Sequence, residues 1–354
     1  MECGIVGLGS SGKTTLFCSL TGTPISSLPV GGLKPHLGIA KIPDPRLGTI
    51  ASNITTKQIV AATIEFVDIA GLSSGAGAAK TNEFLSHVRQ VDALCHVVRC
   101  FDDGQGVPTP AKDIESLQTE LILADLLVAE SSLEKAAKLS KRGDSEAKAR
   151  LAIMEKVLEP LNDGLPIPTL NTWSQADQKL LKSYGMITAK PMLFVANVSE
   201  ENIKGETNDF KVISELAKSA GSEAVAVCAG LEAELAELDE ADRDEMLESM
   251  GLTEPAIGPL ARAVYRVLGL ASFYTAGDKE VRAWTIRCGA NAPEAAGAVH
   301  SDIQRGFIRA ECYSVDDLVE LKNEKAIKAA GKMRSEGKNY QVQDGDIVHF
   351  LFNV

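Results

Sequence analysis

The chain has 354 residues, of which 45% are hydrophobic and 24% charged, as is typical of a folded protein with two or three domains. Its formal net charge of −12 argues against a strongly basic nucleic-acid-binding protein, and DNA is not an expected partner. The seven scattered cysteines include no C-x-x-C pair, which predicts reduced thiols and neither a disulfide framework nor a zinc site. The sequence has no charged signal region and no apolar run of the ~18 residues that a membrane span needs, so we expect a cytoplasmic protein without a membrane partner.

The first predicted elements are a short buried strand over residues 3–8 and a helix that begins at residue 13. Between them, residues 7–14 read G-L-G-S-S-G-K-T and match the pattern G-x-x-x-x-G-K-[ST]. The backbone N–H groups of such a loop and the positive end of the helix dipole bind phosphate oxygens. The predicted nucleotide-binding residues of this loop are Gly9, Ser10, Ser11, Gly12, Lys13, Thr14 and Thr15.

Two side chains of this loop carry predicted roles. Lys13 would reach the β and γ phosphates, and the hydroxyl of Thr14 would coordinate the Mg²⁺ ion that bridges them. The alternative is an ordinary Gly/Ser turn that happens to precede a helix.

A second nucleotide motif ends the β-rich stretch over residues 61–72, where the sequence is Asp68-Ile-Ala-Gly71. In this D-x-x-G arrangement the carboxylate holds Mg²⁺ through water and the glycine N–H senses the γ-phosphate. We therefore predict Thr14 and Asp68 as metal ligands and Lys13, Asp68 and Gly71 as catalytic residues. Leu72 stands where many small GTPases carry a glutamine, so hydrolysis would need another way to position the attacking water.

The next long element is helical. Residues 113–162 carry apolar side chains at helical spacing with charges between them, and Arg142-Gly-Asp-Ser interrupts the pattern. We predict an antiparallel helical hairpin inserted into the sheet domain. A structural arm and a partner-binding arm are equally compatible with it.

A third motif follows the buried strand over residues 190–197. The tetrad Asn197-Val198-Ser199-Glu200 stands where a GTPase has N-K-x-D, whose Asp and Lys recognise guanine. Two of the three defining positions are changed, and losing polar partners weakens discrimination between bases. We predict Asn197, Val198 and Glu200 in the nucleotide site, with adenine as a plausible base.

After residue 193 the alternation of strands and helices resumes, and it closes with a strand over residues 223–228. A helix over residues 254–270 leads to a last, small domain, in which strands are predicted over residues 281–286 and 346–352. The basic residues Lys325, Lys328, Lys332 and Arg334 are predicted in one helical region. Such a run is either solvated surface or an RNA contact.

With these motifs in place, the sequence resembles the Obg-like ATPases, or YchF family, of the translation-factor class of P-loop proteins. The resemblance is carried by residues 3–8, 43–47, 65–72, 96–101, 197–200, 236–240, 273–285, 307–311, 331–337 and 340–354. It implies an ATP-preferring hydrolase that uses Mg²⁺ and associates with the ribosome or a ribosomal subunit. Contact with RNA through a TGS domain is a further implied possibility.

The implied fold is α/β. It consists of a P-loop NTPase G domain with a mostly parallel, doubly wound sheet, a helical-hairpin insertion and a small C-terminal α+β TGS domain. We divide the chain into residues 1–110 and 187–270 for the G domain, 111–186 for the insertion and 271–354 for the TGS domain.

The chain also departs from the family pattern. Gly32 stands at the place of the switch-I threonine that completes the Mg²⁺ shell, and residues 73–80 and 102–110 are shortened. The loop histidine that some members are thought to use in hydrolysis has no counterpart, and His96 is expected in the core. Four functions stay open. A slow ATP hydrolase is favoured by Lys13, Thr14 and Asp68, and a nucleotide-binding scaffold by Gly32, Leu72 and the missing histidine. The other two are a small-molecule kinase, which would not need a TGS domain, and a GTP-using member of the family.

Overall fold

The computed structural model describes residues 1–29, 34–72, 77–104 and 106–353, which form two compact units. The first comprises Met1–Ile39 and Glu65–Ala263, and the second comprises Ala40–Ile64 and Val264–Val354. The strands are β1 Glu2–Val6, β2 His36–Lys41, β3 Ile59–Val60, β4 Thr63–Asp68, β5 Ala93–Cys100, β6 Met192–Val198, β7 Glu223–Val227, β8 Leu270–Ala276, β9 Val281–Arg287, β10 Phe307–Ser314, β11 Arg334–Glu336 and β12 Asp346–Phe352. The helices are α1 Lys13–Thr21, α2 Pro45–Asn53, α3 Ala78–Gln90, α4 Pro110–Ser140, α5 Ser145–Asn162, α6 Gln175–Ser183, α7 Asn208–Ser219, α8 Ala229–Glu237, α9 Glu240–Ser249, α10 Ile257–Val267, α11 Ala292–Val299, α12 Ser301–Arg305, α13 Val315–Leu321 and α14 Glu324–Ala329.

The sheet that carries the nucleotide motifs has the order β2-β4-β1-β5-β6-β7 in the described part of the chain. Strand β1 is parallel to β4 and β5, and β5, β6 and β7 continue in the same direction. Parallel strands end at the same edge of a sheet, so the loops after β1, β4 and β6 converge there. This confirms the α/β fold class with a mostly parallel sheet.

The predicted helical hairpin is confirmed as α4 and α5. Its turn contains Asp144, whose carboxylate accepts hydrogen bonds from the first backbone N–H groups of α5. At the base of the hairpin, the fully buried Asp125 of α4 accepts from the N–H groups of Ile187 and Thr188 at 3.0 and 2.7 Å. Arg89 of α3 forms an ion pair with the same carboxylate at 3.3 Å. These bonds fix α4 to the chain that leads into β6.

Residues 40–64 belong to the second unit, whereas the sequence division assigned them to the first part of the G domain. Strand β3 pairs in parallel with β9 in a sheet of order β11-β10-β12-β8-β9-β3 among the described residues. Arg46 forms ion pairs with Asp44 at 2.9 Å and with Asp344 at 2.6 Å, and the hydroxyl of Tyr274 donates to Asp44. The contacts to Asp344 and Tyr274 join residues far apart in sequence, which a local pattern does not reveal. The remaining boundaries of the four-part division stay a prediction.

The prediction that four basic residues follow one helical region is wrong. Lys325 and Lys328 lie in α14, Lys332 follows that helix, and Arg334 begins β11. Lys332 forms ion pairs with Asp317 and Glu320, at 3.0 and 2.6 Å. Arg334 is 2.7 Å from Asp346, and the two ends of this basic run therefore lie on different elements.

The helix predicted over residues 254–270 is shorter, Ile257–Val267. In the described part of the chain, no helix combines the length and apolarity needed to cross a membrane.

Candidate functional site

The loop between β1 and α1 has a backbone that requires glycine at two positions. Gly12, with φ of 89°, precedes Lys13, and a Cβ there would lie 2.1 Å from Nδ2 of Asn197. At Gly7, a Cβ would lie 2.4 Å from the carbonyl oxygen of Val97. Only glycine fits such close approaches. The loop is therefore pressed against β5 and β6 while Gly9 and Ser10 remain exposed.

Lys13 is buried inside this loop, with 7% of its surface exposed. Its Nζ donates to the carbonyl oxygen of Leu8 at 2.6 Å. Burial lowers the pKa of Lys13 to about 8, and the charge of Asp68 acts in the opposite direction. An ammonium group has three N–H donors, and this single bond to the described part of the chain leaves donors for phosphate oxygens.

Asp68 lies at the end of β4, where its Oδ2 accepts a hydrogen bond of 2.8 Å from the hydroxyl of Thr14. Its Oδ1 is buried and has no hydrogen-bond partner among the described residues. Burial raises the pKa of the Asp68 carboxyl, and the Thr14 hydrogen bond and the charges of Lys13 and His36 oppose that rise. A buried carboxylate oxygen without a partner is costly unless a ligand completes it.

The hydroxyl oxygen of Thr14 and the carboxylate of Asp68 fit a Mg²⁺ ion. Hard oxygen donors suit Mg²⁺, which usually keeps several waters and is held by one or two protein oxygens together with substrate phosphates. Within residues 1–29, 34–72, 77–104 and 106–353, no three His, Cys, Asp or Glu side chains form a metal-binding cluster. A cation at Thr14 and Asp68 would therefore depend on phosphate and water for its remaining ligands.

Gly71 lies directly beside the lysine, since a Cβ at Gly71 would be 2.5 Å from the Lys13 Nζ. The N–H of Gly9 donates to the carbonyl oxygen of Leu72 at 3.0 Å, which ties the D-x-x-G segment to the phosphate loop. The side chain of Leu72 is buried in a cluster with Phe84 and Val88. The structure thus brings Gly71 to the site and directs Leu72 into the core.

Asn197 has a different place from the one that the base-recognition motif suggests. Its buried Nδ2 donates to the carbonyl oxygen of Ser11 at 2.9 Å, and its Oδ1 accepts from the N–H of Ala229 at 3.0 Å. Both ends of the amide therefore connect the phosphate loop to the start of α8. Val198 is buried in the core on β6, and Glu200 is exposed at the start of a short 3₁₀ helix. The structure brings Asn197 to the loop but not the side chain of Val198.

The remaining predicted residues lie in or beside the loop. Ser11 is buried, and its Oγ has no partner among the described residues, while Thr14 is exposed and Thr15 half-buried on α1. His96 is buried on β5, as predicted. Gly32 lies outside the described residues, and so does part of the shortened segment 73–80.

Sequence reasoning missed two contributors, Ala229 and His36. Ala229 acts through its backbone N–H, which no residue pattern marks. His36, on β2, is only four residues after Gly32, but its residue type in that stretch predicted no role.

Comparison with known proteins identifies the family. A relative from Escherichia coli O157:H7, named ribosome-binding ATPase YchF, is 44% identical over 363 aligned residues, covering 100% of this chain and 99% of its own. The chain belongs to the YchF family. A Bacillus subtilis relative of the same name is 42% identical, with full coverage of both chains.

Domain and structure comparisons agree with this YchF assignment. A model described as 50S ribosome-binding GTPase matches residues 2–132, and the YchF GTPase C-terminal model, described as a protein of unknown function, matches residues 270–353. The solved structure of the Schizosaccharomyces pombe YchF GTPase is 31% identical and superposes with a TM-score of 0.85, covering 99% of this chain and 97% of that one.

Proposed function

We propose that this YchF protein binds ATP with Mg²⁺ at the loop of residues 7–14 and hydrolyses it slowly to ADP and phosphate. The observation that carries the proposal is the group of Lys13, Thr14 and Asp68, in which a buried ammonium and a buried carboxylate both have unused bonding capacity with respect to the residues that the structure describes. The names of the bacterial relatives support ATP as the substrate.

Each residue of this group has a definite task. The loop N–H groups and the Lys13 ammonium bind phosphate oxygens, and Thr14 and Asp68 hold the cation. When bound, Mg²⁺ offsets the negative charge that develops on the phosphates during transfer. Gly71, beside Lys13, offers its backbone N–H to the terminal phosphate. These residues position and neutralise charge, which is most of what phosphoryl transfer requires.

A preference for adenine is supported by the altered base motif. A guanine clamp needs a carboxylate for the base edge and an aliphatic stem over the ring, but a buried valine replaces the stem at position 198 and Asn197 is occupied on both sides. The carboxylate is that of Glu200, one methylene longer than aspartate, so guanine loses the packing and the fitted hydrogen-bond geometry that would select it. Glu200 is exposed, and it is the carboxylate of the tetrad 197–200 that is accessible for a hydrogen bond with the base.

We further propose that the nucleotide state changes association with the ribosome. The relatives are named for ribosome binding, and a ribosome-binding GTPase model covers residues 2–132. RNA contact by a TGS domain in the C-terminal part belongs to the same proposal. The basic residues Lys328 and Arg334 each pair with an acidic neighbour, so an RNA contact would have to compete with those ion pairs.

A second candidate, a nucleotide-binding scaffold with little hydrolysis, is favoured by the burial of Leu72. A side chain packed in the core does not orient an attacking water, and the sequence offers Gly32 in place of the switch-I threonine. Both observations predict slow hydrolysis, and neither removes a residue proposed to bind the phosphates.

One set of measurements separates these functions. Titration with labelled ATP and GTP should give ATP an affinity at least equal to that of GTP, and single-turnover assays should give slow ATP hydrolysis. A tenfold preference for GTP, about 1.4 kcal/mol, would contradict the adenine assignment. Binding without turnover, with and without ribosomes, would favour the scaffold. Co-sedimentation with ribosomes should differ between ADP and a non-hydrolysable ATP analogue, and equal sedimentation would contradict nucleotide control.

A matched pair of variants checks the metal ligand. Thr14→Ser keeps the hydroxyl and should retain Mg²⁺-dependent ATP binding, whereas Thr14→Val keeps the shape and should lose it. Equal loss in both variants would show that Thr14 acts through packing alone.

A further inference from the structure

His36 begins β2, and its side chain is half-buried against α1. Its ring centroid lies 6.5 Å from that of Phe17. Gly38, two residues later, approaches the same helix so closely that a Cβ there would lie 2.6 Å from the Thr21 side chain and 2.9 Å from the Phe17 ring. Alternate residues of a strand share a face, so His36 and Gly38 both face α1.

The surface of α1 that receives this strand also carries the metal ligand. Thr14, Phe17 and Thr21 are spaced three and four residues apart, and such residues lie along one side of a helix. Thr14 donates to Asp68, and Phe17, one turn later, contacts His36. The imidazole and the Asp68 carboxylate therefore approach neighbouring turns of the same helix face.

The sheet gives an independent reason to place them together. Strands β2 and β4 are neighbours, and just beyond them the N–H of Ile42 donates to the carbonyl oxygen of Ala62 at 2.8 Å. Residue 42 follows the end of β2, whereas residue 62 precedes the start of β4, as in an antiparallel pair. Counted back from that bond, a regular antiparallel register along both strands places His36 opposite Asp68. Its charge also lowers the pKa of the Asp68 carboxyl, against the larger effect of burial.

We propose that His36 is a positioning residue for the metal end of the nucleotide site, where its imidazole orients the Asp68 carboxylate and the water that Asp68 holds on Mg²⁺. This inference rests on the proposed function. Partners that orient a ligand's carboxylate usually change metal affinity by about 10-fold to 100-fold when they are removed. The sequence predicted no role for His36, four residues after Gly32, and the helix face and strand order are what place it at the metal end of the site.

Two substitutions separate the polar role of His36 from its packing role. His36→Phe keeps a ring against Phe17 and removes both ring nitrogens, whereas His36→Gln keeps a polar amide and removes the ring. ATP affinity is measured with Mg²⁺ and with EDTA, and the readout is the ratio of the two affinities. Thermal midpoints are measured on the same samples, and His349→Ala, an exposed histidine on β12, is the control.

We expect His36→Phe to reduce the Mg²⁺-dependent gain in ATP affinity by about tenfold, with the affinity in EDTA within twofold of wild type. His36→Gln should keep most of the gain, and His349→Ala all of it. An unchanged gain in His36→Phe, or a loss in His36→Gln with retention in His36→Phe, would overturn the inference and assign His36 to packing. If the wild type binds no nucleotide, the proposed function fails and this inference with it; a wild type that binds while the variants match it overturns the inference alone.

Discussion

Lys13, which is buried, and Lys190, which is half-buried, show within the first unit how a ligand site differs from a structural one. Burial lowers the pKa of both Lys13 and Lys190 to about 8. Lys190 donates to the carbonyl oxygens of Val88 and Arg89, at 2.8 and 2.7 Å, and to a third at Val91, so its three N–H groups are used at the end of α3. Lys13 donates to one carbonyl oxygen among the described residues. The pKa values of the two lysines do not distinguish the two sites, but the N–H donors of Lys13 that have no partner among the described residues do.

The same contrast holds for two buried carboxylates. Asp125 accepts from two backbone N–H groups, from the Thr188 hydroxyl and from Arg89, so both of its oxygens have partners. Asp68 has one oxygen with a protein partner and one without, within the described part of the chain. Complete sets of partners mark the base of the hairpin as structural, and incomplete sets mark the loop of residues 7–14 as a binding site.

The largest expected effect is on nucleotide binding at Lys13. Lys13→Ala should weaken ATP binding by about 100-fold, or about 2.7 kcal/mol, because a charge-assisted contact with phosphate is lost. The free energy of unfolding without nucleotide should stay the same or rise, since a buried charge is removed. Fluorescence titration and urea denaturation check the two parts. A folded variant with wild-type affinity would show that the loop is structural.

Lys190→Met should have the opposite effects, a loss of stability with little change in ATP affinity. The substitution keeps the aliphatic stem but leaves three carbonyl oxygens at the end of α3 without their donor, which should lower the free energy of unfolding by about 2 kcal/mol. ATP affinity should remain within twofold of wild type. Urea denaturation measures the first effect, and a loss of affinity without a loss of stability would contradict the structural assignment of Lys190.

The pH dependence of ATP affinity should also distinguish Lys13 from Lys190. The phosphates of ATP favour the charged form of Lys13, so ATP binding raises the pKa of Lys13 above 8. Above pH 8, where the free protein has lost this proton, Lys13 must take up a proton when ATP binds. ATP affinity should therefore fall as pH rises above 8, by about eightfold between pH 7.5 and 9. Lys190→Met should show the same fall, and Lys13→Ala should lose it. A flat profile in the wild type would contradict the pKa shift of Lys13 as its cause.

The smallest expected effect concerns Gly32, which lies outside the described residues. From the sequence alone, Gly32→Thr should raise single-turnover ATP hydrolysis by about threefold, because a threonine adds a metal ligand and loses ~0.5–1 kcal/mol less backbone entropy than glycine when it is held in one conformation. Gly31→Thr, one position earlier, is the control and should not raise the rate. If Gly32→Thr leaves the rate unchanged or lowers it, the alignment of Gly32 with the switch-I threonine is mistaken.

Local motifs predicted the elements that carry the site, because a strand, a glycine-rich turn and a helix are all set by neighbouring residues. The sequence also predicted that Thr14 and Asp68 lie together, because the two motifs assign both side chains to the same Mg²⁺ ion. The role of Asn197 was not, because its partners Ser11 and Ala229 come from distant segments. For the same reason, the sequence did not place residues 40–64 in the second unit, where Arg46 pairs with Asp344.

Stabilisation by Mg²⁺ and ATP in two carboxylate variants tests the central claim most directly. Asp68→Asn should unfold with at least the wild-type free energy in the absence of nucleotide, and should gain little stability when Mg²⁺ and ATP are added, because the metal ligand is gone. Asp125→Asn should be less stable without nucleotide and should gain as much as the wild type. The account thus predicts that Asp68→Asn loses the stabilisation by Mg²⁺ and ATP and that Asp125→Asn loses stability without them. If Asp68→Asn retains the full gain from Mg²⁺ and ATP while Asp125→Asn loses it, incomplete partner sets do not mark the nucleotide site and the account is contradicted.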